Sequence, residues 1–373
     1  MSTIKDLPAP KGDFIGLEGT VNLATGGEPP LLLAHRAAFE AFARDKADGF
    51  SGYHRHWGVI DEVRASIARR IGLEQGDIAL LANASEAIMR VVSSIDWQPG
   101  DNVVAPELDY ASGRYALASL KAKGVELRLV PATGWALTEQ HLLDACDDRT
   151  RLVYVSQVNA MTGQHVDIEA ISRGLEAGPA ALLVDASHAL GAVPVQGGLA
   201  DFTVSCCYKF LLGIHEGILA WNRRRWPEFT PAGAGWSSAN EGTGAGDYIT
   251  KPDARRAEYG NPGHLGAYLL RASLEYLDGF GVEAIAAHVR RQSGRMVQRM
   301  TELGLEVMTP PEAARRAGNA AFRHPDPHKI VHRAAAEDIL IWGDNGRIRA
   351  SAHLFTTDAD VTRFLDRLPS LLT

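Results

Sequence analysis

Cysteine is scarce in this sequence, and long apolar runs are missing from it. The 373 residues include three cysteines, Cys146, Cys206 and Cys207, whose spacing does not match that of metal ligands. Adjacent cysteines rarely bridge to each other, so we expect a reducing compartment and no metal site. No apolar run approaches the roughly 20 residues that cross a bilayer, and residues 1–12 are polar and proline-rich. The sequence therefore predicts neither a membrane span nor a signal peptide, and it favours the cytoplasm.

An excess of positive charge is also absent. The formal net charge is −7 at pH 7, so a nucleic-acid partner is not expected. The length and the 46% hydrophobic content suit a large buried core and about two domains. We expect residues 1–20 to join a small domain, residues 21–255 to form a large domain, and residues 256–373 to supply linker helices and a small C-terminal domain.

Strand-like apolar runs alternate with helical patterns along much of the chain. This order is typical of an α/β protein with a parallel sheet. Ligand sites in such sheets lie at the carboxyl ends of the strands, so charged residues that follow an apolar run are candidates for ligand binding. The predicted strands are 77–82, 102–105, 125–131, 151–156, 180–184 and 201–207.

Two of these strands end in an acid and in a lysine. Asp185 closes the run at 180–184, and Lys209 follows the run at 201–207. Pyridoxal phosphate chemistry requires this pair, because a lysine forms the Schiff base and a carboxylate keeps the pyridine nitrogen protonated. A solvated lysine and a helix-capping aspartate are the ordinary alternative.

The same stretch resembles the fold-type I pyridoxal phosphate enzymes of aminotransferase class V. In that family an apolar strand ends in D-x-x-H/Q, an Ala/Gly turn follows, and a second apolar strand ends in lysine; here these residues are Asp185, His188, Gly191 and Lys209. Tyr208 before the lysine is similar to the kynureninase-like and isopenicillin-N-epimerase-like branch, beside the cysteine-desulfurase-like members. The resemblance implies a large domain with a mostly parallel seven-stranded sheet, a small α+β C-terminal domain and a homodimer. It also makes His188 and Tyr208 candidate cofactor contacts.

Two further segments match the cofactor site of that family. The sequence A-N-A-S-E-A is similar to its phosphate turn, so Ala84 and Ser85 are expected at a helix N-terminus that binds the phosphate, although Ser85 as a plain cap gives the same pattern. Tyr110 stands where the family places a ring that stacks on the cofactor. The alignment could slip to Asp109, and a tyrosine that covers a helix is the other interpretation.

A polar turn after residue 156 completes the predicted cofactor contacts. Asn159 is the candidate donor to the cofactor's phenolic oxygen, with Gln157 as second choice. Asn261 belongs to an E-x-G-N-like element that, in the family, reaches the phosphate bound by the neighbouring subunit. A composite site in a homodimer is the implication.

The substrate side is predicted mainly from one arginine. Arg349 stands where the family clamps the substrate α-carboxylate, and a planar guanidinium suits two-point recognition. A structural ion pair is the alternative for Arg349. Arg347 is expected to face solvent. Three further candidates for substrate contact are Asn22, His54 in an aromatic and basic loop, and Trp236 in the Gly-rich stretch 231–247.

The reaction type is the least determined feature. A cysteine desulfurase needs a mobile cysteine, but the segment 324–347 has none, and Cys206 and Cys207 are expected to be buried. We therefore expect a lyase that performs β-elimination on a cysteine-derived or similarly substituted amino acid in specialised metabolism. Aminotransfer, epimerisation and decarboxylation with deamination remain alternatives. His215 and Glu216 replace the usual G-P-x-G loop, as a substrate contact or a surface loop.

Overall fold

The computed structural model describes residues 5–242, 244 and 246–373. The helices are α1 Ala34–Ala47, α2 Gly49–Ile71, α3 Ala84–Val92, α4 Ala111–Ala118, α5 Glu139–Asp144, α6 Ile168–Leu175, α7 His264–Asp278, α8 Val282–Glu302, α9 Pro327–Ala335 and α10 Asp358–Leu372. The strands are β1 Val21–Asn22, β2 Ile78–Leu81, β3 Asn102–Pro106, β4 Glu126–Val130, β5 Thr150–Ser156, β6 Ala181–Asp185, β7 Phe202–Cys206, β8 Gly217–Trp221, β9 Ala239–Glu241, β10 Tyr248–Thr250, β11 Asn319–Arg323, β12 Ile339–Leu340, β13 Trp342–Asp344 and β14 Arg347–Ser351.

A seven-stranded sheet forms the centre of the molecule. Its strand order is β2-β8-β7-β6-β5-β3-β4, and only β8 runs antiparallel to its neighbours. The strands from β6 to β3 are buried along almost their whole length, as expected for a sheet covered by helices on both faces. The mostly parallel seven-stranded sheet predicted from the sequence is confirmed.

A smaller antiparallel sheet lies towards the C-terminus. Its order is β11-β14-β13; α8 and α9 pack against it, and α10 packs against these two helices and β1. The short strand β1 pairs in parallel with β12, so Val21 and Leu23 belong to the same apolar cluster as Phe322 and Ile348. We retain the boundaries 1–20, 21–255 and 256–373 as a proposal.

The aromatic and basic cluster at 53–57 is helical, so the expected loop is wrong. It lies in the first half of α2, whose apolar side chains recur at helical spacing and are buried, including Val59, Ile60 and Val63. The helical spacing of the apolar residues after position 57 favours a helix more strongly than Gly49 and Gly52, just before the cluster, favour a loop. His54 consequently sits on the exposed side of a helix.

Within the described residues, none of the helices combines the length and the apolar character needed to cross a bilayer.

Candidate active site

A cavity lies at the carboxyl ends of β5, β6 and β7. Because these strands are parallel, their last residues, Ser156, Asp185 and Cys206, reach one edge of the sheet together. We call this space the lysine cavity. It brings together seven of the predicted residues: Ala84, Ser85, Tyr110, Asp185, His188, Tyr208 and Lys209.

Lys209 is buried and is held by a histidine. Its Nζ lies 3.2 Å from His188 Nε2, and His188 Nδ1 lies 3.0 Å from the Asn319 side-chain nitrogen. Burial lowers the pKa of His188 well below its usual value, and the nearby charge of Lys209 acts in the same direction. His188 is therefore a neutral imidazole whose Nε2 lone pair accepts a hydrogen bond from Lys209.

The amide of Asn319 determines the tautomer of that imidazole. With Nε2 as the acceptor, Nδ1 carries the proton and needs an acceptor of its own. Asn319 Oδ1 is a buried atom without a hydrogen-bond partner, and exchanging the amide oxygen and nitrogen places it against Nδ1. In that orientation Asn319 Oδ1 accepts from His188 Nδ1, and His188 Nε2 accepts from Lys209 Nζ.

Asp185 is also fully buried and fixed by neighbours. Its Oδ1 accepts a hydrogen bond from the Ser187 backbone N–H at 2.8 Å, and its Oδ2 accepts one from Tyr154 at 3.3 Å. Burial raises the pKa of Tyr154, and the carboxylates of Asp109 and Asp185 add to that effect. The phenol therefore stays protonated and can donate to Asp185.

The predicted phosphate turn begins α3. Asn83 is the cap and accepts a hydrogen bond from Glu86 N, while the first N–H groups of a helix have no acceptor within it. Ser85 Oγ donates to Ser112 Oγ at 2.8 Å, near the start of α4. Gly217 lies flat against this turn, since a Cβ there would collide with the backbone of Asn83. The turn thus presents free donors and hydroxyls to the lysine cavity.

Tyr110 and Asp109 have different surroundings. The Tyr110 ring is 43% exposed, and its centroid is 5.3 Å from Lys209 Nζ. Asp109 is buried and accepts hydrogen bonds from the Ser156 hydroxyl and from the Tyr110 and Ser156 backbone N–H groups. Burial raises the pKa of Asp109 to about 6. Asp109 anchors the loop, and Tyr110 offers the open ring face.

Tyr208 lies on the other side of the lysine. Its ring centroid is 5.5 Å from Lys209 Nζ, and the ring stacks on His215 with centroids 4.2 Å apart. His215, whose role the sequence did not determine, therefore packs against Tyr208, which lines the cavity.

Asn159 does not line the lysine cavity. Its amide nitrogen donates to Leu108 O, and its oxygen accepts from the N–H groups of Met161 and Thr162. These bonds fix the loop that carries Ala160, which does line the cavity. The predicted bond from Asn159 to a cofactor oxygen remains a prediction, although the amide is already engaged.

Arg349, on the small sheet, lies beside the lysine cavity but is not one of its lining residues. Its Nη1 donates to Ala160 O at 2.8 Å, and a Cβ at Gly26 would lie 2.9 Å from its Nη2. Burial lowers the pKa of Arg349 to about 10, with a further contribution from Arg347. The guanidinium is thus buried, with Ala160 O as its hydrogen-bond acceptor and its Nε unpartnered.

The expectation that Arg347 faces solvent is wrong. Arg347 is only 2% exposed. Residues two apart on a strand share a face, so Arg347 points to the same buried side as Arg349.

Besides Asn159 and Arg349, four predicted residues lie outside the lining of the lysine cavity. Asn22 is buried and accepts a hydrogen bond from Ala24 N, whereas His54 is exposed and packs on Phe50. Trp236 is 63% exposed, with its ring 6.5 Å from that of Trp57. Asn261 accepts a hydrogen bond from Tyr53 at 3.2 Å. We call the open space beside it the outer cleft, lined among others by Tyr53, His56, His215, Glu216, Asn261 and His264.

The prediction from the sequence did not include several polar residues of the site. Tyr154 lies within a buried strand and Asn319 begins another, so neither carried a signal of its own. Ser112 stands two residues after the predicted Tyr110, and its hydroxyl could have been noticed there.

Comparison with known proteins gives three findings. The family model described as aminotransferase class-V matches residues 47–364. A cysteine desulfurase of Dickeya dadantii is 30% identical over 74% of this chain and 72% of its own, and a kynureninase of Deinococcus radiodurans is 25% identical over 87% and 81%. The solved structure of the cystine C-S lyase C-DES with its product cysteine persulfide superposes with a TM-score of 0.87 at 20% identity, covering 95% of this chain and 98% of that one.

Proposed function

The chain belongs to the aminotransferase class-V family, and we propose that it is a pyridoxal 5'-phosphate-dependent lyase that eliminates the β-substituent of a cysteine-derived or similar amino acid. The observation that supports this best is the position of Lys209 Nζ, 3.2 Å from a neutral His188, in a cavity that Asp185 also lines. The relative named cysteine desulfurase and the solved C-S lyase support chemistry at a carbon–sulfur bond.

The residues present fit the cofactor. Ala84, Ser85 and the start of α3 would hold the phosphate, Asp185 the pyridine nitrogen, Tyr110 the ring face, and Lys209 the aldehyde carbon. Two features of the structure support this fit: the flat approach of Gly217 to the phosphate turn and the open face of Tyr110. His188 and Tyr208 would complete the wall, and Asn261 would act from the neighbouring subunit.

The bound cofactor would supply an electron sink for the bond broken at the substrate Cα. Arg349 binds the α-carboxylate and so fixes which bond at Cα is presented for cleavage. Lys209 Nζ, released when the substrate amino group takes its place, would accept the Cα proton; the electron pair left at Cα would form the Cα–Cβ double bond, and the leaving group would depart with the pair of its bond to Cβ. His188, held neutral by burial, keeps Lys209 Nζ aimed into the cavity. Hydrolysis of the product gives pyruvate and ammonia.

The cysteines favour elimination over sulfur transfer to the protein. Cys206 and Cys207 are buried on or beside β7, and burial raises the pKa of both thiols. A thiol needs to be ionised and accessible to act as a nucleophile. Cys206 lines the lysine cavity, but it is fixed in a strand next to Lys209.

A homodimer with a composite site is part of the proposal. Large apolar side chains remain exposed on the single chain, including Phe39, Phe50 and Trp236, at 54%, 79% and 63%. Exposed apolar residues of this size suit a protein interface. Asn261 and Tyr53 in the outer cleft would then face the partner's cofactor phosphate.

The test combines spectroscopy with product analysis. We expect the purified protein to be yellow after reconstitution and to lose this absorbance in Lys209→Ala, whereas Lys329→Ala, an exposed lysine on α9, retains it. Cysteine conjugates should give pyruvate and ammonia without an added keto acid. A colourless protein that cannot be reconstituted would contradict the cofactor, and amino transfer that depends on a keto acid would make the enzyme an aminotransferase.

A further inference from the structure

One face of β14 carries three buried polar side chains in succession. Arg347, Arg349 and Ser351 alternate along the strand, so all three point to the same side, and they are 2%, 4% and 0% exposed. We call these three residues the arginine wall. Arg349 connects the wall to the lysine cavity through its hydrogen bond to Ala160 O.

Unpartnered polar atoms are concentrated around this wall. A buried donor or acceptor without a partner is costly, so a group of them in one place indicates a surface that a polar ligand completes. Neighbouring segments contribute to the group, because Asp344 is the cross-strand partner of Arg347 and Ala24, next to Thr25, bridges to Ser351. Among the described residues the atoms without a partner are Thr25 Oγ1, Arg347 Nε, Arg349 Nε and Ser351 Oγ, and Asp344 Oδ1 and Arg347 Nη1 form an ion pair without an aligned hydrogen bond.

Asp344 lies close to Arg347 but does not satisfy the hydrogen-bonding capacity of its guanidinium group. Its Nη1 lies 2.8 Å from Asp344 Oδ1, which is an ion-pair distance, yet both atoms lack an aligned hydrogen bond. The Asp344 side chain is 36% exposed, whereas that of Arg347 is 3% exposed. The carboxylate can therefore turn to water while the guanidinium stays inside, and the burial of Arg347 needs another explanation.

Both guanidinium groups lie on the buried face of β14, near enough to His188 for their charges to act on it. The positive charges of Arg349 and Arg347 each depress the pKa of His188, after burial and Lys209. The α-carboxylate of an amino acid occupies one guanidinium fork. The second remains buried beside it.

We propose that the substrate carries a second acidic group, on its side chain or β-substituent, and that Arg347 binds this group while Arg349 binds the α-carboxylate. Arg347 is then a specificity-determining residue, and Asp344 is the internal carboxylate that the substrate displaces. The proposal rests on the proposed function for the reaction, but the recognition of two acidic groups is measured by binding alone.

The test uses a pair of ligands that differ in charge but hardly in shape. S-carboxymethyl-L-cysteine and S-carbamoylmethyl-L-cysteine are titrated into the holoenzyme, and binding is followed by the cofactor absorbance and by the rise in Tm. We expect the acid to bind at least about tenfold more tightly than the amide, because hydrogen bonds to charged groups are the strong ones.

Variants test whether Arg347 causes the preference for the acid over the amide. Arg347→Gln should reduce it to less than about twofold, and Arg347→Lys should leave it intermediate, because the ammonium lacks the planar fork. Asp344→Asn, a change at a half-exposed side chain, should increase affinity for the acid about two- to threefold by removing the competing carboxylate. Arg323→Gln is the matched control, because Arg323 is the exposed cross-strand partner of Arg347.

The outcomes separate this inference from the proposed reaction. Equal binding of the two ligands to the wild type, or an undiminished preference in Arg347→Gln, overturns the inference. If Arg347→Gln does not fold, an unchanged affinity for the acid in Asp344→Asn overturns it instead. If the acid binds tenfold more tightly than the amide but neither compound yields pyruvate, the inference is supported and the lyase is contradicted. If both compounds yield pyruvate with equal efficiency, the lyase is supported and the inference is overturned.

Discussion

The two sides of the active site differ in how their polar groups are satisfied. On the large-sheet side, Asp185, His188 and Lys209 each have a hydrogen-bond partner within the chain. On the small-sheet side, Arg347 and Arg349 are both buried, and the Nε of each has no hydrogen-bond partner among the described residues. The chain thus preorganises the reacting groups and leaves the recognition groups for the substrate to complete.

This difference separates reaction from specificity. Groups that the fold already holds are expected to affect kcat when changed, because their role is needed in the transition state. Groups that await a ligand are expected to affect substrate affinity first. Three substitutions test this division, and a fourth tests a buried acid of the outer cleft.

The largest effect is expected at Asp185. Asp185→Asn keeps the shape but removes the charge, and kcat should fall about 10²–10³-fold, as when a preorganised electrostatic contact is lost. The control is Asp201→Asn, another buried acid, which accepts a hydrogen bond from Leu182 N at the opposite end of the same strands. A similar loss of kcat in both variants would mean that Asp185 acts only on the fold.

The next effect is expected at Arg349. Arg349→Lys retains a positive charge but loses the fork, so KM for every amino-acid substrate should rise about tenfold or more with a smaller change in kcat. Arg323→Lys, on the neighbouring strand, should leave both constants unchanged. A fall in kcat without a change in KM would place Arg349 with the reacting groups.

A smaller effect is expected at Asn319, where it depends on the amide orientation. If Oδ1 accepts from His188 Nδ1, Asn319→Asp preserves the acceptor and keeps kcat within about twofold, whereas Asn319→Leu loses about three- to tenfold. KM should remain unchanged in both variants. A loss in Asn319→Asp as large as in Asn319→Leu would show that the amide nitrogen is the contacting atom.

The smallest effect on activity is expected at Glu216, a buried acid in the outer cleft. In the described part of the chain Glu216 Oε2 has no hydrogen-bond partner, and burial raises the pKa of Glu216 to about 8. Because the folded pKa lies above the unfolded one, the contribution of Glu216 to stability is largest below about pH 4.5 and declines as pH rises towards 8. Glu216→Gln should therefore unfold at higher denaturant concentration than wild type at pH 8, by a free energy on the order of a few kcal/mol, with little difference at pH 4.5. No gain at pH 8 would mean that a cation of the partner subunit pairs with Glu216.

Much of the lysine cavity could be predicted because its residues follow strands in sequence. Asp185 and Lys209 close apolar runs, and parallel strands bring such ends together without further information. Asn319 and Tyr154 could not be found in this way, since each contacts the site across a long sequence separation. His54 was misplaced because two glycines outweighed the helical spacing of the residues after it.

The alternation of strands and helices, the mostly parallel sheet and the placement of Asp185 and Lys209 at one edge of it could be predicted from the amino-acid sequence, because these features depend on local periodicity and on the direction of successive strands. The burial of Arg347 beside Arg349, the contact of Asn319 with His188 and the hydrogen bonds of the Asn159 amide became known only from the folded structure. Those facts depend on how the small sheet packs against the large one, and the burial of a polar side chain is set by its neighbours in space rather than by its neighbours in the chain.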